Sequence, residues 1–441
     1  MAPTAPLVFL GNFEVERQWG ENEPGIPTFN FPSSDVLVNR MDEFTLNLAG
    51  PDDIVVLKRH PDADYLAYLE KLGRRLPRIL TPEVSDPGRD VTADALADGR
   101  LLAELSGLRA RGAMIVAHGV SAREERLSEL TGLPLGAPTA AVCKAVNSKV
   151  YSRELADRLQ LRQPAGRWCD SLETWQEAAE WARGLLRNGA EVAVKDAYGV
   201  SGKGILQITE EARLDQLSRM FTSRSERRSD NRLGVVVEEW VSKETDLNYQ
   251  FSVGRDGSTR LDFVKEALTE KGVHKGHLVP ARITAVHLEE INSAARSIGT
   301  ALAADGYFGV VGIDAMIDPA GGLYPLTEIN ARSNMSTYQE SLLEMLAPAG
   351  WTALARHYDV TLRRPLPFAE LQGVLGDLLL GPDSDAGGLI VNNFATVGSG
   401  LSAGGSGRLY GIVLGSTLDQ VNTLDKQITQ ALAPWQEGTS A

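Results

Sequence analysis

The residues best suited to chemistry lie between Tyr307 and Asn334, in the stretch YFGVVGIDAMIDPAGGLYPLTEINARSN. Its first half is small and β-branched, as a buried strand requires. Pro319-Ala320-Gly321-Gly322 is a turn cluster, and LYPLTEIN is the returning strand. Glu328 and Asn330 are two apart, so on a strand both side chains leave one face. Pairing the two strands brings Asp314 near them. Two carboxylates and an amide are hard oxygen donors that suit Mg²⁺ held against substrate phosphates. Arg332 continues the i, i+2 series and adds a fixed positive charge.

The elements that must position these residues occupy most of the chain. Its 441 residues suffice for two to four domains, and 43% apolar with 23% charged residues is ordinary for a soluble globular protein. The net charge of −14 argues against a nucleic-acid partner, which needs a basic footprint. Two cysteines, Cys143 and Cys169, make no disulfide framework and fit a reducing cytoplasm. No run approaches the roughly 20 apolar residues of a membrane span, and the first residues read as a strand rather than a signal peptide.

Residues 1–138 alternate strands with helices, which indicates a parallel α/β sheet. The strands are LVFLGN, DDIVVLKR, PRILTPE and AMIVAHG. Asn12 and Gly119 follow strand ends, where open α/β sheets bind ligands, but turn-forming residues are common there. Residues 139–362 change character. AAVCKAVNSKVYSRELADRLQLRQP reads as a helix with Lys149 near its middle or at a break. DSLETWQEAAEWARGLLRNG is an amphipathic helix with Trp175 and Trp181 on its buried stripe. EVAVKDAYGVSGKGILQI is strand, glycine-rich turn, strand. Its backbone N–H groups can fold over phosphates, with Lys195 and Lys203 as point charges, although the spacing fits neither the Walker A nor the dinucleotide pattern.

VVVEEWV is a buried strand turning polar at Glu238 and Glu239. Backbone beyond such a strand can read an adenine edge, and Glu244 or Asp246 can take ribose hydroxyls. Lys265 to Arg282 reads as a polar, basic loop over the site. A metal role for His274 and His277 is disfavoured, since no further soft ligand is near. Residues 363–441 follow a proline-rich joint and read as a small α+β segment with a glycine-rich loop at Ser399–Arg408.

The order Lys149, KDAYGVSGKG, VVVEEWV, Asp314 and EINAR resembles the ATP-grasp superfamily, in which two α+β halves grip ATP. The α/β region in front looks like a pre-ATP-grasp domain, and the whole chain looks closest to the pheganomycin-type peptide ligases of antibiotic biosynthesis. Asp196, where many members carry proline, and the double glycine 321–322 depart from the common pattern.

The resemblance implies an ATP-dependent ligase. It would join an amino-acid-derived, guanidino-bearing carboxylate to a peptide amine, giving ADP and phosphate. Lys149 and Lys195 would then hold the α- and β-phosphates, and the loop Gly199, Ser201, Gly202, Lys203, Gly204 would cover the β- and γ-phosphates. Glu238, with Glu239 beside it, and the Val241 backbone would read adenine; Glu244 or Asp246 would meet the ribose. Asp314, Glu328 and Asn330 would hold Mg²⁺, and Arg332 with Arg282 would stabilise the acyl phosphate. The alternatives are another ATP-grasp reaction, such as dipeptide ligation or carboxylation, and a non-catalytic ATP-binding regulator.

Overall fold

The computed structural model describes residues 5–26, 36–199, 204–270, 273–382, 386–402 and 406–436. Four short apolar strands begin the chain: β1 (Leu7–Leu10), β2 (Ile54–Val56), β3 (Arg78–Leu80) and β4 (Met114–Ala117). All are parallel, in the order β3-β2-β1-β4. Neighbours leave β1 in opposite directions, so a crevice opens beyond the carboxyl ends of β1 and β4. The Asn12 amide spans that crevice. Its Nδ2 donates to the Gly119 carbonyl at 2.8 Å, and its Oδ1 accepts from Gly119 N–H at 3.3 Å.

The expected helix from Thr139 is two helices, Ala140–Val146 and Lys149–Arg158. Asn147 ends the first and Ser148 caps the second, its Oγ accepting from Val150 N–H at 3.2 Å. The break fixes Lys149 as the first residue of a helix.

The next four strands form an antiparallel lobe: β5 (Gly166–Ser171), β6 (Val192–Asp196), β7 (Ile205–Ile208) and β8 (Arg232–Glu239), ordered β5-β8-β6-β7. The helices Leu172–Arg187 and Glu211–Arg228 pack on it. Trp175 meets Phe221 edge-on at 4.7 Å in a core built by the lobe and joined by Ile26 from the first domain. Both tryptophans of the amphipathic helix therefore serve packing, Trp181 at the core's margin.

Eight antiparallel strands make the largest sheet. They are β9 (Thr245–Val253), β10 (Thr259–Glu270), β11 (Val273–Val279), β12 (Gly309–Ile317), β13 (Leu323–Asn330), β14 (Thr352–Val360), β15 (Gly388–Asn393) and β16 (Gly407–Gly415). Their order is β13-β12-β9-β10-β11-β14-β16-β15. One expectation changes here. Much of the polar stretch from Lys265 to Arg282 is not a loop but the paired ends of β10 and β11. Lys265 is fully buried, its Nζ donating to the Ser336 carbonyl at 2.9 Å and pairing with Glu340 at 2.8 Å. The α+β segment beyond residue 363 is present, and its strands β15 and β16 extend the same sheet through β14.

That C-terminal edge also shares a core with the first domain. Phe9, Tyr65, Tyr68 and Leu69 pack with Leu389, Val391 and Leu432. The hydroxyls of Tyr65 and Tyr68 donate to the carbonyls of Val391 and Leu389 at 3.3 and 3.1 Å.

Candidate active site

A cleft of about 1740 Å³ runs between the four-stranded lobe, the eight-stranded sheet and the crevice of the first domain. Strand alternation supplies its floor. Along β9, Leu247, Tyr249 and Phe251 are in the core, while Asn248 and Gln250 lie on the other face. Asp314 on β12 stands in register with Asn248 on one side and Glu328 on the other. In the next row Gly312 lies between Gln250 and Asn330. The hairpin read from the sequence thus forms, with Gly321 at φ 81° in its turn, and it brings Asp314, Glu328 and Asn330 together.

Each floor group already has a partner. Asp314 Oδ1 accepts from Asn248 Nδ2 at 2.9 Å, and Oδ2 from Asn330 Nδ2 at 3.3 Å. Burial, and then the charge of Glu328, raise the Asp314 pKa to about 6. Glu328 Oε1 accepts from Lys149 Nζ at 2.7 Å, and the same Nζ donates to the Gly199 carbonyl at 2.7 Å. Asn330 Oδ1 accepts from Arg332 Nη2 at 2.9 Å. The described residues hold no group of three or more His, Cys, Asp or Glu suited to a metal. Two carboxylates and one amide fit Mg²⁺, which is bound through one or two carboxylates and completed by substrate phosphates and water.

The lobe forms the roof. Lys195 on β6 pairs closely with Glu238 on β8, and Arg153 approaches Glu238 at 3.6 Å. Lys149, Lys195 and Glu238 share a small cavity next to the cleft. Gly199 and Gly204 pinch the base of the glycine-rich turn: a Cβ on either would stand 2.6 Å from the other's Cα. Ser201, Gly202 and Lys203 lie outside the described residues. Asp196 sits beside the pinch, and burial raises its pKa to about 6.

Glu239 and Val241 line the cleft where β8 leaves the sheet. Of the two ribose candidates Asp246 faces the cleft, bonded by Thr269 Oγ1 at 2.6 Å; Glu244 is not among the lining residues. Arg282 is also placed elsewhere. It is 66% exposed, forks onto Glu266 with Nε at 2.9 Å, and does not line the cleft. Its partner Glu266 pairs in register with Leu247, on the sheet face opposite Asn248 and Asp314.

Sequence reasoning missed three residues at the site. Asn248 was signalled by the polar alternation Asp246, Asn248, Gln250. His118 and Glu16 come from the first domain, near the crevice that β1 and β4 define. His118 stacks on Phe13 at 4.1 Å, and its Nδ1 lies 2.8 Å from Tyr338 Oη. Burial first, then the Arg332 charge, keep it neutral, with a pKa well below the usual value. Glu16 pairs with Arg332 across the domain seam, Nε to Oε1 at 2.8 Å.

Comparison with known proteins finds likeness in sequence and in fold. The Pre ATP-grasp domain family matches residues 41–133. The N5-carboxyaminoimidazole synthase of Aspergillus clavatus, solved with ADP and 5-aminoimidazole ribonucleotide, aligns over 97% of this chain and 99% of its own. Its TM-score is 0.54 at 13% identity. The chain thus shares the fold of that enzyme over nearly its whole length. Biotin carboxylase of Campylobacter jejuni, solved as a β,γ-ATP complex, aligns over 97% of this chain and 91% of its own. Its TM-score is 0.55 at 11% identity. A curated relative from Niallia circulans, [butirosin acyl-carrier protein]–L-glutamate ligase, is 25% identical over 317 residues, 71% of this chain and 68% of its own length. These matches pair a pre-ATP-grasp model in the first domain with a likeness in fold over nearly the whole chain and with one ligase relative in sequence. None of them singles out a pheganomycin-type ligase. No helix among the described residues is long and apolar enough to cross a membrane.

Proposed function

We propose that the protein activates an amino-acid carboxylate with ATP as an acyl phosphate and passes the acyl group to an amine, releasing ADP and orthophosphate. The observation that carries this reading is the floor of the cleft. There Asp314, Asn330 and Arg332 form one hydrogen-bonded chain, and Glu328, in register with Asp314, forms a second with Lys149. Bound Mg²⁺, held by Asp314, Glu328 and Asn330, supplies charge neutralisation for the phosphates. Lys149 and Lys195 hold the α- and β-phosphates, and the turn based on Gly199 and Gly204 covers the γ-phosphate. Glu238, Glu239 and the Val241 backbone bind the adenine side, and Asp246 the ribose.

A substrate carboxylate oxygen attacks the γ-phosphorus, and the bond to the β,γ-bridging oxygen breaks as ADP leaves. Arg332 faces the acyl phosphate and the tetrahedral oxyanion that follows, where fixed donors count most. The amine nitrogen then forms the new C–N bond, loses a proton and expels phosphate.

Room for two substrates is present. The cleft exceeds the roughly 300–1,000 Å³ of ordinary ligand sites, so a nucleotide leaves space beside it. The relative's name supports an amino-acid carboxylate. A guanidino-bearing donor and a peptide amine rest on the sequence resemblance alone. A second reading, carboxylation of an amine with bicarbonate as the carboxylate, is favoured by the near full-length likeness to a carboxyaminoimidazole synthase.

One assay separates them. The protein is given MgATP and hydroxylamine with either pooled amino acids or bicarbonate. ADP release with an amino-acid hydroxamate supports ligation; bicarbonate-dependent ADP release alone supports carboxylation. No stimulation by either sinks both.

A further inference from the structure

We infer that Glu16, a residue of the first domain, is a positioning residue for the Arg332 guanidinium. The inference rests on the acyl-phosphate reading given to Arg332 above.

Glu16 is held in place by its own short helix, Val15–Trp19. Val15 and Trp19 are buried on either side of it, and the Trp19 indole N–H donates to the Val120 carbonyl at 2.9 Å. The carboxylate is thereby presented across the seam to Arg332, where the side chains are only 16% and 11% exposed. Arg332 Nε lies 2.8 Å from Glu16 Oε1, and Nη2 is in closer contact with the same oxygen. Nη2 also donates to Asn330 Oδ1 and Nη1 to the Ser333 carbonyl, each at 2.9 Å. A guanidinium is planar and carries five N–H groups. Acceptors on three sides therefore fix both the place and the plane of this one.

The neighbouring charges show what Glu16 prevents. Arg332 also feels the carboxylates of Glu328 and Asp314. Without Glu16 the Nε–Nη2 edge has no acceptor of its own, and those two carboxylates are the anions left to it. A guanidinium turned toward them would compete with the cation they serve and would leave the acyl phosphate. Asn330 and Ser333 alone hold it less firmly against that rotation, because each meets a single N–H. Glu16 is thus the means by which the first domain acts on the reacting centre without touching substrate.

The test measures hydroxamate formation from MgATP, hydroxylamine and the amino acid that the wild type uses best. Glu16→Ala is expected to lower kcat roughly 10- to 100-fold, the scale of a small misplacement of a catalytic group. KM for MgATP should stay within about twofold, since the lost interaction serves the transition state. Glu16→Gln keeps an acceptor oxygen at the same reach and should restore most of kcat. Glu16→Asp keeps the charge but not the reach, and should restore less.

In an Arg332→Ala background, Glu16→Ala should have no further effect, a coupling that a merely structural role would not produce. If Glu16→Ala alone fails to fold, the Gln and Asp variants still rank reach against charge. Unchanged or raised kcat in Glu16→Ala, multiplicative effects with Arg332→Ala, or Asp outperforming Gln would each overturn the inference. A wild type that forms hydroxamate from no amino acid removes the ligase reading, and this inference with it. A wild type that forms it while Glu16→Ala matches it removes only the inference.

Discussion

Lys149 Nζ lies 2.7 Å from Glu328 Oε1, so a lysine assigned to phosphate is paired with a carboxylate assigned to metal. The same pattern recurs around the cleft. Lys195 is paired with Glu238, and Arg332 with Glu16. An unpaired buried charge costs several kcal/mol, so such a site stays assembled only if its ions neutralise one another. MgATP brings both signs at once, phosphates for the lysines and a cation for Glu328, and the pairs can exchange partners without stranding a charge.

Glu328→Gln should abolish ligation while nucleotide binding survives. The amide keeps a contact to Lys149 but loses the charge that neutralises Mg²⁺. A fall in kcat of at least about 100-fold is expected, on the scale of removing one electrostatic stabiliser. ADP-release kinetics and calorimetric titration with ADP check the two halves. Wild-type turnover would take Glu328 out of the site.

Gly199→Ala and Gly204→Ala should each weaken ATP binding, because either Cβ would lie 2.6 Å from the facing glycine's Cα. Relief requires the backbone at the base of the turn to open. A rise in KM for ATP of roughly tenfold, about 1.4 kcal/mol, is the expected size. Steady-state kinetics at varied ATP would expose the error if both variants bound normally.

The nucleotide products identify the intermediate. An acyl phosphate leaves ADP and orthophosphate in equal amounts, whereas an adenylate leaves AMP and pyrophosphate. Chromatography of the spent nucleotide decides between them, and stoichiometric AMP would end the acyl-phosphate account.

Arg282→Ala should leave kcat within about twofold. The guanidinium is largely exposed, and ion pairs at such places contribute at most about 1 kcal/mol. Glu266 would still accept the Arg282 backbone N–H at 3.3 Å. A large loss of kcat with normal folding would return Arg282 to the catalytic set.

Glu43 makes stability depend on pH. Its carboxylate is buried, accepting from the Phe394 and Ala395 N–H groups at 2.6 and 2.8 Å, and burial raises its pKa from 4.5 to about 7. The folded state therefore holds a proton that the unfolded chain gives up between those values. This contribution is complete below pH 4.5 and is lost as pH rises through 7, amounting to about 3 kcal/mol at most. Glu43→Gln keeps the acceptor without the charge. Its Tm should fall less than that of the wild type between pH 5 and pH 8, and equal slopes in the two melting series would refute the assignment.

The hairpin with Asp314, Glu328 and Asn330 was legible because strand alternation and a glycine turn are local signals. So were the parallel sheet of the first domain and the amphipathic helix Leu172–Arg187. Register across strands was not, which is why Asn248 escaped notice although it stands directly beside Asp314. Glu16 was hidden by distance, 316 residues from Arg332 along the chain. The β10–β11 hairpin looked like a loop because lysine, histidine and glycine are loop residues by composition. Glu340 and the Ser336 carbonyl make buried Lys265 tolerable there, and both lie on a helix that sequence spacing cannot dock. The proline-rich stretch after Arg363 suggested a boundary, yet the strands beyond it complete a sheet already begun.

The shared core of the first and last segments sets an order of events during synthesis. Tyr65, Tyr68 and Leu69 leave the ribosome early, but Leu389, Val391 and Leu432, which cover them, come some hundreds of residues later. At about 5–20 residues per second the uncovered face waits on the order of tens of seconds. The lobe from β5 to β8 has its core, Ile26 included, already translated and can close in that interval, whereas the domain translated first is among the last to be sealed. A nascent chain stalled before residue 389 would therefore display an apolar face that chaperones bind.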